Sequence, residues 1–155
     1  AYGTEPNADK NNAQGGTYTK GGGRGICPKG WHIPTAREWA LMLDAVGGDD
    51  TFTSLLASNH SQVGNIAGLL KSTEPGYWDP AYCSDALGFS LLPNGYNAHW
   101  AGQSFVGFGW SCQLQTSTVT DPYVNTMFES FNTDSVLFSG QQRKNATGLR
   151  CIKDL

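Results

Sequence analysis

The middle of the chain carries the side chains best suited to holding a ligand. Tyr77, Trp78, Tyr96, Asn97, His99, Trp100, Tyr123 and Asn125 lie there, interleaved with Asp79, Asn94, Gln103 and Asp121. A ring offers an apolar face on which a sugar can stack, and short amides and carboxylates beside it can fix hydroxyls. Each of these rings could equally pack a long loop onto a core. Chemistry of other kinds finds little purchase. His32, His60 and His99 have no Cys, Ser or Asp in a distinctive catalytic setting, so the sequence predicts no enzyme. Asp49, Asp50 and Asp85 do not follow calcium-loop spacing, so calcium stays possible without a motif to support it, and no other cofactor is implied.

Four cysteines, Cys27, Cys83, Cys112 and Cys151, are spread widely with no C-x-x-C pair. That spacing fits two disulfides better than a zinc or redox site, and leaves three connectivities open. Disulfides persist outside the cytosol, and a chain rich in Gly, Ser, Thr and Asn agrees with an extracellular location. Export would then rest on a leader removed from before Ala1, or on a longer parent protein.

The elements that must position these residues are legible in part. Thr35 and Glu38 form a capping box, and Trp39, Met42, Leu43 and Val46 follow as one apolar stripe. Gly47 and Gly48 end the run, so the pattern predicts a helix over 36–46. A second, shorter helix is expected from a cap at Asp50/Thr51, with Phe52, Leu55 and Leu56 on one face. Ile66–Leu70 reads as either helix or strand. Beyond Trp78 come short apolar runs: Phe89–Leu92, Phe105–Phe108, Val136–Phe138 and Leu149–Ile152. Turn residues separate them, Pro93-Asn94-Gly95 being the strongest turn signal. Helix early and strands late predict an α+β fold. Residues 1–25, rich in Gly, Asn and Lys, read as an extension packed on or peripheral to a single domain at 26–155. Gly21–Gly23 lacks the phosphate-loop pattern.

Composition narrows the function classes. The chain has 155 residues, 15% charged and 12% aromatic, with a net charge of −3. It is too aromatic for disorder and has no apolar run long enough to span a membrane. No basic cluster exceeds Arg143-Lys144, which argues against a nucleic-acid partner.

Cys27-Pro28-Lys29-Gly30-Trp31-His32-Ile33-Pro34-Thr35-Ala36-Arg37-Glu38-Trp39 resembles the signature of the Fibrobacter succinogenes major paralogous domain family. Leu70-Lys71-Ser72, Gly88-Phe89-Ser90-Leu91-Leu92-Pro93-Asn94-Gly95, Gly109-Trp110-Ser111 and Gly148-Leu149-Arg150-Cys151-Ile152-Lys153-Asp154 continue the likeness in order. The resemblance implies that the motif cysteines Cys27 and Cys151 pair, leaving Cys83 and Cys112 for an extra bridge. The motif tryptophans Trp31, Trp39 and Trp110 read as core packing, and His32 as a structural hydrogen-bonder. The same segments resemble, more distantly, the sulfatase-modifying variant of the C-type lectin-like fold. That likeness implies two helices flanking a small twisted antiparallel sheet, long loops on one face and the terminal strands side by side. Glu5-Pro6-Asn7 matches the calcium and sugar triplet of C-type lectins but stands before the helix, without its usual partner. The expectation is therefore a non-catalytic, exported bacterial binding or adhesion module for glycans or surface proteins. The alternatives are a structural subunit of a surface appendage, such as a minor pilin or adhesin part, and a sulfatase-modifying type of enzyme.

Overall fold

The structure, a computed structural model, describes residues 25–47, 52, 60–63, 66–98, 101–102, 104–120, 123–130, 133–142 and 145–155. The expected 1–25 extension, with the Glu5-Pro6-Asn7 triplet, lies outside the described residues apart from Gly25.

Thr35 opens the helix as its sequence requires. Its Oγ1 accepts from the Glu38 N–H at 3.0 Å, while Glu38 Oε2 accepts from the Thr35 N–H and Oγ1, both at 2.8 Å. The helix, α1, spans Ala36–Gly47 and buries Ala36, Trp39, Ala40 and Leu43, with Met42 and Val46 packed at the margin. Asp44, on its inner side, accepts from the Phe52 N–H at 2.6 Å and draws that buried ring into the core. Phe52 is helical, but the rest of the expected second helix lies outside the described residues. Among the described residues α1 is the only α-helix of more than one residue. Ile66–Leu70 settles the sequence's ambiguity as a single 3-10 turn, Ala67–Leu69.

Among the described residues there are nine strands: β1 (Trp31–His32), β2 (His60–Val63), β3 (Asn94–Ala98), β4 (Ser104–Phe108), β5 (Ser111–Thr120), β6 (Tyr123–Ser130), β7 (Val136–Gln142), β8 (Ala146–Thr147) and β9 (Ile152–Lys153). The main sheet runs β2-β7-β6-β5-β3-β4, with β8 also on β3. All its pairings are antiparallel except β3 with β5. β1 and β9 form a separate antiparallel ribbon, Trp31 opposite Lys153 and His32 opposite Ile152. The Cys27–Cys151 disulfide joins the segment leading into β1 to the residue just before β9. The fold is thus α+β, one described helix against small, mainly antiparallel sheets. Leu70, Trp78, Leu91, Cys112, Leu114, Val136 and Phe138 meet the α1 stripe in one core.

β5 and β6, the longest strands, were not signalled by apolar alternation. Ser111, Gln113, Thr116, Ser117 and Thr118 are buried polar residues. Part of this polarity has a partner in α1: the register between β5 and β6 shifts between Gln115 and Val119, and this bulge meets the start of the helix. There Thr118 Oγ1 accepts from the Ala36 N–H at 3.0 Å, and the Ser117 N–H donates to Pro34 O at 2.8 Å. Polar side chains are needed here because the first turn of a helix leaves donors unsatisfied.

The Pro93-Asn94-Gly95 signal is corrected in kind. It does not turn a hairpin; Asn94 opens β3 instead. Its side-chain amide bonds both backbone groups of Gln113, accepting from N–H at 3.1 Å and donating to O at 3.2 Å. The chain passes from β4 to β5 through a Gly107–Trp110 turn over this spot, and the Gly109 N–H donates to Pro93 O at 2.9 Å. The crossing is too close for side chains. A Cβ on Gly107, at φ +73°, would lie 2.1 Å from Ser111 Oγ, and one on Gly95, at φ +56°, 2.5 Å from Phe108 N. Phe89–Leu92, read as a strand, is loop that meets Lys71 through one bridge at Leu91.

Candidate functional site

The family-like motifs converge on a clamp rather than a cleft. His32 sits between two carboxylates, its Nδ1 2.6 Å from Asp154 Oδ1 and its Nε2 3.1 Å from Glu38 Oε1. An ionised carboxylate only accepts, so two of them, one at each ring nitrogen, favour the doubly protonated imidazolium. Burial pulls the His32 pKa down, but the hydrogen bonds and charges of Asp154 and Glu38 outweigh it and hold the value above 6.5. Burial opposes ionisation of Glu38 too, yet the Thr35 and His32 bonds keep its carboxyl below the usual range. The clamp ties the β1–β9 ribbon to the first turn of α1, and both ring nitrogens of His32 are engaged by its carboxylates. The structural role expected of His32 is therefore what its geometry provides.

Among the tryptophans, structure and expectation part in both directions. Trp39 is core, its ring edge-on to Phe89 at 5.8 Å. Trp31 and Trp110, also read as core, are 39% and 52% exposed. Strand alternation accounts for the first: His32 turns inward to its carboxylates, so Trp31 faces out from a two-stranded ribbon. Trp110 ends the β4–β5 turn on the outside of the sheet. Trp78, read as a ligand contact, is only 4% exposed. Its Nε1–H donates to Leu91 O at 2.7 Å, and the fully buried Lys71 lies over its ring, Nζ 4.7 Å from the centroid. Lys71 Nζ also donates to Thr133 O at 2.7 Å.

The remaining expected contacts are dispersed. Tyr77 is exposed, beside Trp78 on the loop 72–91. Tyr96 and Asn97 are half-buried in β3, between β4 and β8. Tyr123 and Asn125 lie on β6, with Gln142 and Gly140 opposite them on β7; their side chains lie outside the described residues. So do His99 and Trp100. Tyr77 is the one member of the set that is exposed among the described residues.

The loop 72–91 is a built feature. Trp78 closes its base through Leu91, and the Ser84 N–H donates to Gly68 O at 2.8 Å. Asp79 caps the short 3-10 turn Pro80–Tyr82 by accepting from the Ala81 N–H at 2.9 Å. Asp85 accepts from the Ser90 N–H and Oγ, each at 2.7 Å, and those bonds hold its carboxyl below the usual range. Exposed on this frame are Tyr77, Tyr82, Leu87 and Glu74. A second exposed set, Phe105, Phe108 and Trp110, surrounds the β4–β5 turn. Sequence reasoning passed over it because Phe105–Phe108 reads simply as strand.

The second disulfide is corrected. Cys83 and Cys112 are thiols, Cys112 a core residue on β5 and Cys83 half-buried where the Pro80–Tyr82 turn ends. Each fills an apolar position, which a small hydrophobe satisfies without a bridge. Among the described residues no group of three His, Cys, Asp or Glu is placed to hold a metal ion, and no helix is long and apolar enough to cross a membrane.

Comparison with curated proteins and with solved structures gives no match. The family comparison does: the Fibrobacter succinogenes major domain model matches residues 1–153. It spans the capped helix, the Asn94 crossing, the terminal disulfide and the His32 and Glu38 members of the clamp, and the chain belongs to that family.

Proposed function

We propose that this domain is a non-catalytic binding module displayed on the bacterial surface, which recognises glycans through the loop 72–91 on a C-type lectin-like frame. The carrying observation is that this loop is pinned at its base by Trp78 and by Asp85, yet turns Tyr77 and Tyr82 outward with Glu74. A rigid loop loses little entropy on binding, and exposed tyrosines beside a carboxylate suit stacking and hydroxyl recognition. Side-by-side terminal strands closed by a disulfide support the C-type lectin-like frame. The disulfide also agrees with an exported location. No cofactor is part of this reading.

A sulfatase-modifying chemistry is disfavoured. It works through cysteines near the chain's end, and here Cys151 is bonded to Cys27 and cannot act as a thiolate. Likeness of fold does not carry activity with it. A structural subunit of a surface appendage is the second reading, favoured by the exposed aromatic rings of Phe105, Phe108 and Trp110.

A glycan array with the intact protein tests the first reading. Binding at micromolar affinity or weaker is expected, about 8 kcal/mol or less, and is lost in Tyr77→Ala and Tyr82→Ala. Binding that survives both substitutions would move the site away from this loop.

A further inference from the structure

From Ala86 through Thr120 the chain contains no Asp, Glu, Lys or Arg, although 15% of the whole sequence is charged. This run includes β3, β4, the β4–β5 turn and all of β5. Within it β4 stands at the end of the sheet, and among the described residues it pairs with β3 alone. Among the described residues nothing pairs with its other edge, and an edge strand left so is a template on which another strand can add. Edge strands are ordinarily guarded by a charge, a proline or a bulge. Ser104-Phe105-Val106-Gly107-Phe108 has neither charge nor proline, and its register with β3 runs without a shift. Phe105 and Phe108 on this edge are 73% and 74% exposed.

We propose that the β4 edge is a self-association surface, on which two copies of the chain pair their β4 strands antiparallel and continue the sheet from one subunit into the next. The charge pattern argues for a second copy rather than a foreign strand. In a two-fold interface each surface meets itself, so any charge near the axis faces its own sign. A run free of charge across three strands removes that repulsion. The area agrees. Phe105, Phe108 and Trp110 together expose on the order of 400 Å² of apolar surface, taking about 200 Å² as a full aromatic side chain. A standard interface of roughly 800 Å² per partner is a little over half apolar, so these three rings, when all are covered, supply most of its apolar part. The proposal does not depend on the glycan reading, since the loop 72–91 shares no residue with β4.

Sedimentation equilibrium of the intact protein, from low micromolar to near-millimolar concentration, is the test. The wild type forms a reversible dimer, and hydrogen exchange at the β4 amides slows as the dimer fills. Phe105→Lys and Phe108→Lys each weaken dimerisation roughly 100-fold or more, because each substitution acts twice across the axis. Ser104→Lys, at an exposed position on the same edge, gives the same result if either phenylalanine variant fails to fold. A protein monomeric throughout overturns the proposal, whether or not the edge accepts a peptide from another chain. A dimer that all three lysine variants leave intact overturns it equally, by placing the contact elsewhere. Glycan binding by Tyr77 and Tyr82 variants is read separately, so each reading can fail without the other.

Discussion

Replacing Trp78 with phenylalanine separates an anchor from a ligand contact. The substitution keeps an aromatic ring but removes the Nε1–H that donates to Leu91 O at 2.7 Å. Leu91 O still accepts from the Ser72 N–H at 3.0 Å, so no buried acceptor is orphaned and the loss is about 1 kcal/mol. The smaller ring leaves part of the site empty, a further loss of about 1–2 kcal/mol. Lys71 Nζ, 4.7 Å from the indole centroid, faces a weaker π surface, worth about 0.5 kcal/mol more. The sum is about 3 kcal/mol. Urea unfolding followed by far-UV circular dichroism would show it as a midpoint lower by about 1.5 M, for a slope near 2 kcal/mol/M. Tyr77→Ala, one residue away but exposed, should change stability by no more than about 0.5 kcal/mol. If Trp78→Phe and Tyr77→Ala unfold at the wild-type midpoint alike, Trp78 does not pin the loop and the rigid-platform argument fails.

Gly107→Ala should cost about 2–4 kcal/mol in thermal or chemical unfolding, since the position combines φ +73° with a Cβ site 2.1 Å from Ser111 Oγ. The His32 clamp predicts a pH dependence with a definite sign. A folded pKa above 6.5 means that the stability His32 contributes is full below the unfolded value and is lost as pH rises through the folded one. Glu38, with its value lowered, contributes above its unfolded pKa and loses that contribution as pH falls through the folded value. Unfolding midpoints measured across pH should therefore decline on the alkaline side of 6.5, and His32→Gln should abolish that step; a decline of equal size in the variant would assign it to another group. The denatured, unreduced protein should expose two thiols to Ellman's reagent, Cys83 and Cys112, with peptide mapping linking Cys27 to Cys151. Reducing that bridge, whose ends are 124 residues apart, should cost about 5 kcal/mol on the loop-entropy account.

The sequence by itself determined the features that depend on neighbours along the chain. Thr35 and Glu38 are close enough in sequence to cap one helix turn, and the spacing of Trp39, Leu43 and their companions fixes which side of α1 is buried. The motif resemblance carried the Cys27–Cys151 pairing across the whole domain. Tertiary structure decided whatever depends on partners distant along the chain. Thr118 on β5 is polar and buried because it satisfies the start of a helix some eighty residues earlier, a need that apolar alternation cannot register. The Asn94-Gly95 pair has the chemistry of a hairpin turn, but a close crossing used its small size and amide instead. Tryptophans in and out of motifs exchanged their expected places for the same reason. A ring's burial depends on what covers it, and Trp78 found Leu91 O and Lys71 while Trp31 and Trp110 were left at the margins of their sheets.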